Sequence, residues 1–279
     1  MGRRGLVLGA GGVAGIAWET GLLAGLAEGG ADPCTADLVV GTSAGSTVAA
    51  QVTSGVAVSD LYRRQADPVS HTRELPALLG REALLALFSG AYGETQDVLD
   101  RRRRIGAMAL AAPTVSEAER RAVIAARLPV HDWPPGDLRI VAVDAESGET
   151  RVFDSAWGVE LVDAVAASGA VPQTWPPVTI GGRRYIDGAT RSAENADLAA
   201  GCDRVLVVKA MEIPGVDNLA RQVTALREQG SRVVVLSPDA ASVAAIGPNL
   251  LDPAVRGPAA KAGYRQGLRS AAEAGEFWH

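Results

Sequence analysis

Short apolar runs alternate with longer, helix-like segments along most of the chain. Five of the runs have the length and composition of buried strands, namely Gly5–Leu8, Leu38–Val40, Leu138–Val143, Arg204–Val208 and Arg232–Leu236. Strands that alternate with helices are typical of α/β proteins with a parallel sheet. The pattern therefore predicts an α/β fold with a central, mainly parallel sheet flanked by helices, which ends in a long helix over Ala254–Ala274.

Two hairpins are predicted at the margin of this sheet. The residues Glu146–Glu149 form a turn signal ahead of Thr150–Phe153, and Gly181-Gly182 separates Val178–Ile180 from Arg183–Ile186. Glycine pairs and Ser-Gly steps between short alternating runs favour tight turns. The second hairpin delivers Asp187 at the end of its last strand.

The pattern changes to helical segments between residues 58 and 128, where no strand is convincing. Leu75–Phe88 is rich in alanine and leucine, and Ser116-x-x-Glu119 is a capping box ahead of a helix that runs to Leu128. We expect one domain over residues 1–279, with a helical cap-like insertion over 56–135. The alternative is that these helices simply complete the core.

The apolar run Leu38–Val40 ends in Gly41-Thr42-Ser43-Ala44-Gly45, which is a Gly-x-Ser-x-Gly motif ahead of a helical segment. This arrangement is typical of a nucleophile elbow, a sharp and strained strand-to-helix turn that projects the serine hydroxyl above the sheet edge. Ser43 is therefore the candidate nucleophile.

A serine nucleophile needs a base, and the chain offers few histidines for that role. Only His71, His131 and His279 exist, and only the last follows the serine in the order usual for α/β hydrolases. A conventional triad is therefore not expected. Asp187 stands at the end of a predicted strand with Gly188 behind it, and it is the candidate base.

The first strand runs into the glycine-rich stretch Gly9–Gly15, and a helix is predicted over Ile16–Leu26. Backbone N–H groups in such a loop can hold an anion, either a phosphate or the oxyanion of a tetrahedral intermediate. A dinucleotide site would need an acidic residue at the tip of the second strand, and Ser43 ends that strand instead. We therefore predict an oxyanion loop with donors at Gly11, Gly12 and Val13, joined by Ala44.

Four motifs in this order resemble the patatin-like phospholipase family: the N-terminal glycine loop, the Gly-x-Ser-x-Gly, the proline-marked stretch Ala167–Val178 and the late Asp187-Gly188-Ala189. The resemblance spans residue 5 to about residue 210. It implies a three-layer α/β fold, a Ser-Asp dyad, and hydrolysis of acyl esters, often from lipids. In one place the sequence departs from the family, because Ala14 stands where the glycine loop commonly carries an arginine.

Composition and charge limit which partners, location and cofactors are expected. With a net charge of −5 and no basic stripe, the chain is not expected to bind nucleic acid. No apolar run is long enough to span a bilayer. Arg3-Arg4 followed by Gly5–Ala17 imitates a signal peptide, but the same residues are needed as the first strand and the glycine loop, so a cytoplasmic protein is expected. The run Arg101–Arg104 is either a solvated helix face or a peripheral contact with anionic lipid. Neither a cofactor nor a metal site is implied, since Cys34 and Cys202 have no metal-ligand spacing.

The sequence leaves three functional alternatives and the oligomeric state open. An acyltransferase or a thioesterase could use the same dyad, and a non-catalytic lipid-binding or regulatory protein is conceivable because of Ala14. A nucleotide-binding oxidoreductase would have no use for Gly-x-Ser-x-Gly. The expected substrate is a lipid or another acyl ester, without a prediction for its acyl chain or head group.

Overall fold

A computed structural model describes residues 2–77, 97–212 and 218–279. The strands in these ranges are β1 Arg4–Leu8, β2 Leu38–Thr42, β3 Asp137–Asp144, β4 Thr150–Phe153, β5 Val178–Ile180, β6 Arg183–Asp187, β7 Arg204–Val208 and β8 Arg232–Leu236. The helices are α1 Gly12–Glu28, α2 Ala44–Val52, α3 Val58–Ala66, α4 Val98–Ala111, α5 Glu117–Arg127, α6 Leu161–Ser168, α7 Asn218–Glu228, α8 Ala240–Ile246 and α9 Arg256–Trp278.

The described strands form one sheet in the order β5-β6-β3-β2-β1-β7-β8, with β4 paired to β3. The β3-β2-β1-β7-β8 portion is parallel, whereas β4, β5 and β6 pair antiparallel. This confirms the predicted α/β fold with a mainly parallel central sheet and marginal hairpins. The parallel strands place their carboxyl ends at one sheet edge, where ligands bind in folds of this kind.

The two sides of the sheet pack against different helices. Leu6 and Leu8 of β1 belong to a core cluster with α1, α2 and α9, whereas Val7 belongs to a second cluster with α7. Successive residues of a strand point to opposite faces, so each side of the sheet receives its own apolar layer. The sheet is therefore covered on both faces, as parallel sheets require.

Helix α1 begins earlier than the sequence predicts. The expected start at Ile16 is wrong by four residues, because the helix starts at Gly12. A Cβ on Gly11 would lie 2.8 Å from the Ala210 side chain, and one on Gly12 would lie 2.6 Å from the Leu250 carbonyl oxygen. The glycines therefore let the first turn of α1 pack against the segments around Ala210 and Leu250. This packing outweighs the low helix propensity of glycine.

The described part of residues 56–135 contains helices joined by irregular segments and no strand. It contains α3, α4 and α5, and both hydrogen bonds of the Ser116–Glu119 capping box are present. Residues 78–96 lie outside the described residues, and with them most of the helix expected over Leu75–Phe88. The four arginines Arg101–Arg104 lie in α4. A lipid-facing role for them, like the cap-like insertion itself, stays a prediction.

Helices α1 and α9 approach each other through glycines on both sides. A Cβ on Gly21 or Gly25 would lie 2.1 or 2.2 Å from a carbonyl oxygen of α9, and one on Gly263 or Gly267 would lie 2.2 or 2.3 Å from a carbonyl oxygen of α1. Real Cβ atoms do not come that close to backbone oxygens. The four glycines therefore fix the separation of the two helices.

We expect Gly267→Ala to lower the free energy of unfolding by about 1–3 kcal/mol, because the added methyl group must push α9 away from α1. Urea unfolding monitored by circular dichroism measures this change. Gly275→Ala in the same helix is the matched control, since its Cβ would meet only the Ala31 side chain at 3.7 Å. Equal midpoints for the two variants would contradict the close-packing account.

In the described part of the chain, no helix is both long enough and apolar enough to cross a membrane.

Candidate active site

Ser43 occupies the turn between β2 and α2 in a strained backbone conformation. Its φ of 55° and ψ of −114° lie outside the regions that non-glycine residues favour. The surrounding structure holds this turn: the Ser43 N–H donates to the Ser168 Oγ at 2.9 Å, and the Ser46 hydroxyl donates to the Ser43 carbonyl oxygen at 2.6 Å. Strain of this kind persists only where neighbouring contacts fix it.

The two glycines of the Gly-x-Ser-x-Gly motif are required by close packing. A Cβ on Gly41 would lie 2.6 Å from the Ser46 Cα, and a Cβ on Gly45 would lie 2.1 Å from the Leu8 carbonyl oxygen. Gly45 also donates its N–H to the Gly9 carbonyl oxygen at 2.8 Å. The motif therefore lets α2 begin directly against β1, and the serine stands at the resulting bend.

The register of β3 explains why Asp187 meets Ser43. Val141 pairs with Thr42 of β2, and the next residue, Ala142, pairs with Asp187 of β6. Both partners lie on the same edge of β3, since β4 occupies its other edge at these positions. The end of β2 and the end of β6 are thus neighbours. The Ser43 hydroxyl donates to the Asp187 Oδ2 at 2.7 Å.

The Asp187 carboxylate is held in place from its other side. Its Oδ1 accepts the Ala189 N–H at 2.8 Å, and the side chain is almost fully buried. A Cβ on Gly188 would lie 2.3 Å from the Val141 carbonyl oxygen, which explains the glycine that follows the aspartate. The carboxylate therefore points one oxygen at Ser43 in a fixed orientation.

Burial raises the pKa of Asp187 to about 7, against the lowering effect of the Ala189 N–H, the Ser43 hydroxyl and the charge of Arg120. Removal from water disfavours the ionised carboxylate, and this outweighs the stabilising contacts. A carboxylate with a pKa near 7 is a far stronger base than one near its ordinary value of about 3.9.

A narrow cavity of about 20 Å³ lies beside Ser43. This volume has room for about one water molecule. Three of the four predicted oxyanion donors, Gly12, Val13 and Ala44, line it together with Ser43. Gly11 does not line the cavity; it precedes the first residue of α1.

The N–H groups of Gly12, Val13 and Ala44 belong to the first turns of α1 and α2, where helices leave N–H groups without an intrahelical acceptor. Within the described ranges, none of the three donates a hydrogen bond to the protein. The N–H of Ala14, one residue on, donates to the Leu250 carbonyl oxygen at 3.0 Å. The cavity is thus lined by donors at the positive ends of two helices.

Two side chains that position the site are missed or misassigned by the sequence. Ser168, which holds the Ser43 backbone from the end of α6, lies in the proline-marked stretch but is given no role there. The position of Asn195 ahead of Leu198 predicts a helix cap; the residue does stand at the N-cap of the short 3-10 helix Ala196–Ala199, but its side chain makes no capping bond. The fully buried amide donates to Thr42 Oγ1 at 3.0 Å and to the Ser192 carbonyl oxygen at 2.7 Å.

The three histidines lie elsewhere. The rings of His71, His131 and His279 contact the carbonyl oxygens of Gln65, Ala125 and Gly30, and none of the three lines the cavity. The structure thus brings Ser43 next to Asp187 and to three of the four predicted N–H donors, and no histidine ring lines the cavity.

Comparison with known proteins identifies a family. A family model described as "patatin-like phospholipase" matches residues 6–200. Among solved structures, VipD from Legionella pneumophila is similar, with a TM-score of 0.49 and 14% identity over 98% of this chain and 67% of VipD. The type III effector protein ExoU has a TM-score of 0.43 and 20% identity over 98% of this chain, which spans about half (53%) of ExoU. A comparison with curated protein sequences finds no match. Since the family model covers well over half of the chain, this protein belongs to the patatin-like phospholipase family.

Proposed function

We propose that the protein is a serine-dependent acyl ester hydrolase that works through a Ser43–Asp187 dyad. The observation that carries the proposal is the 2.7 Å hydrogen bond from the Ser43 hydroxyl to the buried Asp187 carboxylate, at a strained elbow beside unpaired N–H donors. Membership of the patatin-like phospholipase family supports lipid acyl hydrolysis at the level of the family.

In the first step, the Ser43 Oγ attacks the carbonyl carbon of the ester while its proton passes to the Asp187 Oδ2. The carbonyl oxygen becomes an oxyanion, and the N–H groups of Gly12, Val13 and Ala44 are the donors on the cavity wall that face it. The bond to the leaving alcohol then breaks, and Asp187 returns the proton to that alcohol. An acyl-serine remains.

In the second step, a water molecule attacks the acyl-serine. Asp187 accepts a proton from this water, and the C–O bond to Ser43 breaks as the proton passes to its Oγ. The acid is released and both residues return to their starting states. Because Asp187 must be ionised at the start of each step, kcat/KM is expected to rise with pH through about 7.

The dimensions of the cavity bear on the substrate. At about 20 Å³ it can hold a water molecule but not an acyl chain, so the walls must separate to admit an ester. We propose that the substrate is a lipid or a related acyl ester whose scissile carbonyl reaches Ser43 from this opening. Apolar wall residues such as Ile16, Ile124 and Val171 are suited to contact its acyl chain.

Covalent labelling with a fluorophosphonate probe tests the proposal directly. The probe is expected to modify one serine in the native protein, and peptide mass spectrometry should place it on Ser43. Heat-denatured protein and the Ser43→Ala variant serve as controls and should remain unlabelled. Labelling at another serine would refute Ser43 as the nucleophile, and no labelling of folded protein would refute the hydrolase assignment.

A further inference from the structure

Arg120 is a buried cation in the wall of the same cavity, and sequence analysis assigns it no role. It lies on α5, and only 5% of its surface is exposed. Together with Ser43 and Trp175 it lines the cavity of about 20 Å³. The charge of Arg120 acts on the buried Asp187 carboxylate, which accepts the Ser43 hydroxyl proton in a hydrogen bond, so the guanidinium lies near the dyad where an ester carbonyl must bind.

The guanidinium is fixed in place but not fully paired. Its Cζ lies 4.0 Å from the centroid of the Trp175 ring, a distance typical of a cation–π contact. The Nη1 atom is buried and has no hydrogen-bond partner among the described residues. An unpaired donor on a buried charge is costly, and natural proteins rarely retain one without a use for it.

The neighbouring arginine shows what a satisfied pairing looks like in this protein. Arg127 lies about two helical turns beyond Arg120 on α5. It donates from two nitrogens to both oxygens of the buried Glu74, at 3.0 and 2.6 Å. Arg256 lies 3.8 Å from the same carboxylate. Glu74 therefore serves Arg127 and Arg256, and Arg120 retains a free donor.

The ionisation of Arg120 is consistent with an anion-binding role. Burial lowers its pKa to about 9, as does the charge of Arg127, while Glu74 and Asp187 act in the opposite direction. The guanidinium is still charged at pH 7. A planar, charged guanidinium with a free N–H is well suited to carboxylate and phosphate oxygens.

We propose that Arg120 is a specificity-determining residue that binds an anionic oxygen of the substrate, so that esters with a phosphate or carboxylate near the scissile bond are preferred. This inference rests on the proposed hydrolase function and names the substrate class for it. A phosphate on a lipid head group and a carboxylate on a small ester share the required chemistry, and the experiment separates these two sources.

The test compares anionic esters with neutral esters that lack the anionic group. Phosphatidic acid and diacylglycerol with identical chains form the lipid pair, and mono-4-nitrophenyl adipate and 4-nitrophenyl hexanoate form the small-ester pair. The unsubstituted protein should show the higher kcat/KM for the anionic member of at least one pair. The pair that shows the preference identifies the source of the anion. Equal kcat/KM values within both pairs would overturn the proposal, and this result needs only the unsubstituted protein.

Arg120→Gln should lower kcat/KM for the preferred anionic ester by roughly 10- to 100-fold, the scale of a lost charge-assisted hydrogen bond, and should change the neutral ester less than threefold. Arg120→Lys should retain part of the preference. Arg121→Gln is the matched control on the same helix, because that side chain is paired with Asp163 and Glu160 at the surface. It should leave both esters unchanged.

The alternative role for Arg120 is to hold Asp187 ionised, and it predicts a different result. Arg120→Gln would then slow both members of a pair equally and shift the pH midpoint of neutral-ester hydrolysis upward. That outcome overturns the substrate-binding role, as does an absence of any effect.

A binding measurement separates failure of this inference from failure of the proposed function. Soluble short-chain phosphatidic acid is titrated into Ser43→Ala protein by calorimetry, and into the same protein with Arg120→Gln added. Binding that weakens about 10-fold or more with the second substitution supports the anion site even if no ester is turned over. Equal binding by both proteins contradicts it.

Discussion

Replacing Ser43 by alanine is expected to reduce hydrolysis of a short 4-nitrophenyl ester by about 10⁴- to 10⁶-fold, the usual consequence of losing the nucleophile of a serine hydrolase. The hydroxyl donates one hydrogen bond, to Asp187, and otherwise faces the cavity. The fold should therefore survive, and circular dichroism with a urea midpoint close to that of the parent would confirm that it does.

Ser54→Ala is the matched control for this variant. Ser54 lies just beyond the end of α2, and its hydroxyl donates to the Gln51 carbonyl oxygen. The residue does not line the cavity, so turnover should not change. If Ser43→Ala kept as much as one-tenth of the parental rate, another residue would have to be the nucleophile.

Asp187→Asn should lower the rate of acylation by roughly 10²- to 10⁴-fold, because the amide keeps the shape of the side chain but cannot accept the serine proton. Stopped-flow release of 4-nitrophenol measures this step. A variant with nearly normal acylation would exclude Asp187 as the base.

The pH dependence alone cannot identify this base. An unperturbed imidazole titrates near 6.5, and the buried Asp187 has a pKa of about 7, so the two curves would nearly coincide. The informative control is a protein in which His71, His131 and His279 are all glutamine. It should keep substantial activity and the same rise with pH. An inactive but folded triple variant would point to a histidine.

Asp187→Asn should also stabilise the protein at alkaline pH. Asp187 has a higher pKa folded than unfolded, so its contribution to stability is present below about pH 4 and is lost as the pH rises through about 7. A difference of about three pKa units corresponds to roughly 4 kcal/mol as an upper value. Asp187→Asn removes this cost, and its urea midpoint should exceed that of the parent at pH 8 but not at pH 4.

The parts of the site that the sequence predicts are those encoded by local constraints. Gly41 and Gly45 surround Ser43 because each lacks room for a Cβ, and Gly188 follows Asp187 for the same reason. A tight turn leaves this signature within five residues. The fold class follows similarly from the spacing of apolar runs, because the central strands β1, β2 and β7 are buried on both faces and helices cover those faces.

The parts that the sequence does not predict depend on contacts between distant segments. Ser168 and Asn195 are ordinary polar residues in sequence, and only the packing of α6 and the loop after β6 brings them to the elbow. Arg120 lies in a helix with many charged residues, where an exposed position is the usual expectation. Its contact with Trp175 joins residues more than fifty positions apart.

The interlocked glycines of α1 and α9 bear on the order in which the molecule can assemble. Helix α1 provides Gly12 and Val13 of the site, yet the surface of α1 that faces α9 is covered by residues more than two hundred positions later in the chain. The family-matched segment 6–200 ends before α9 begins. During synthesis, the side of α1 that packs on α9 therefore stays uncovered until α9 has left the ribosome, and contacts of such long range are slow to form.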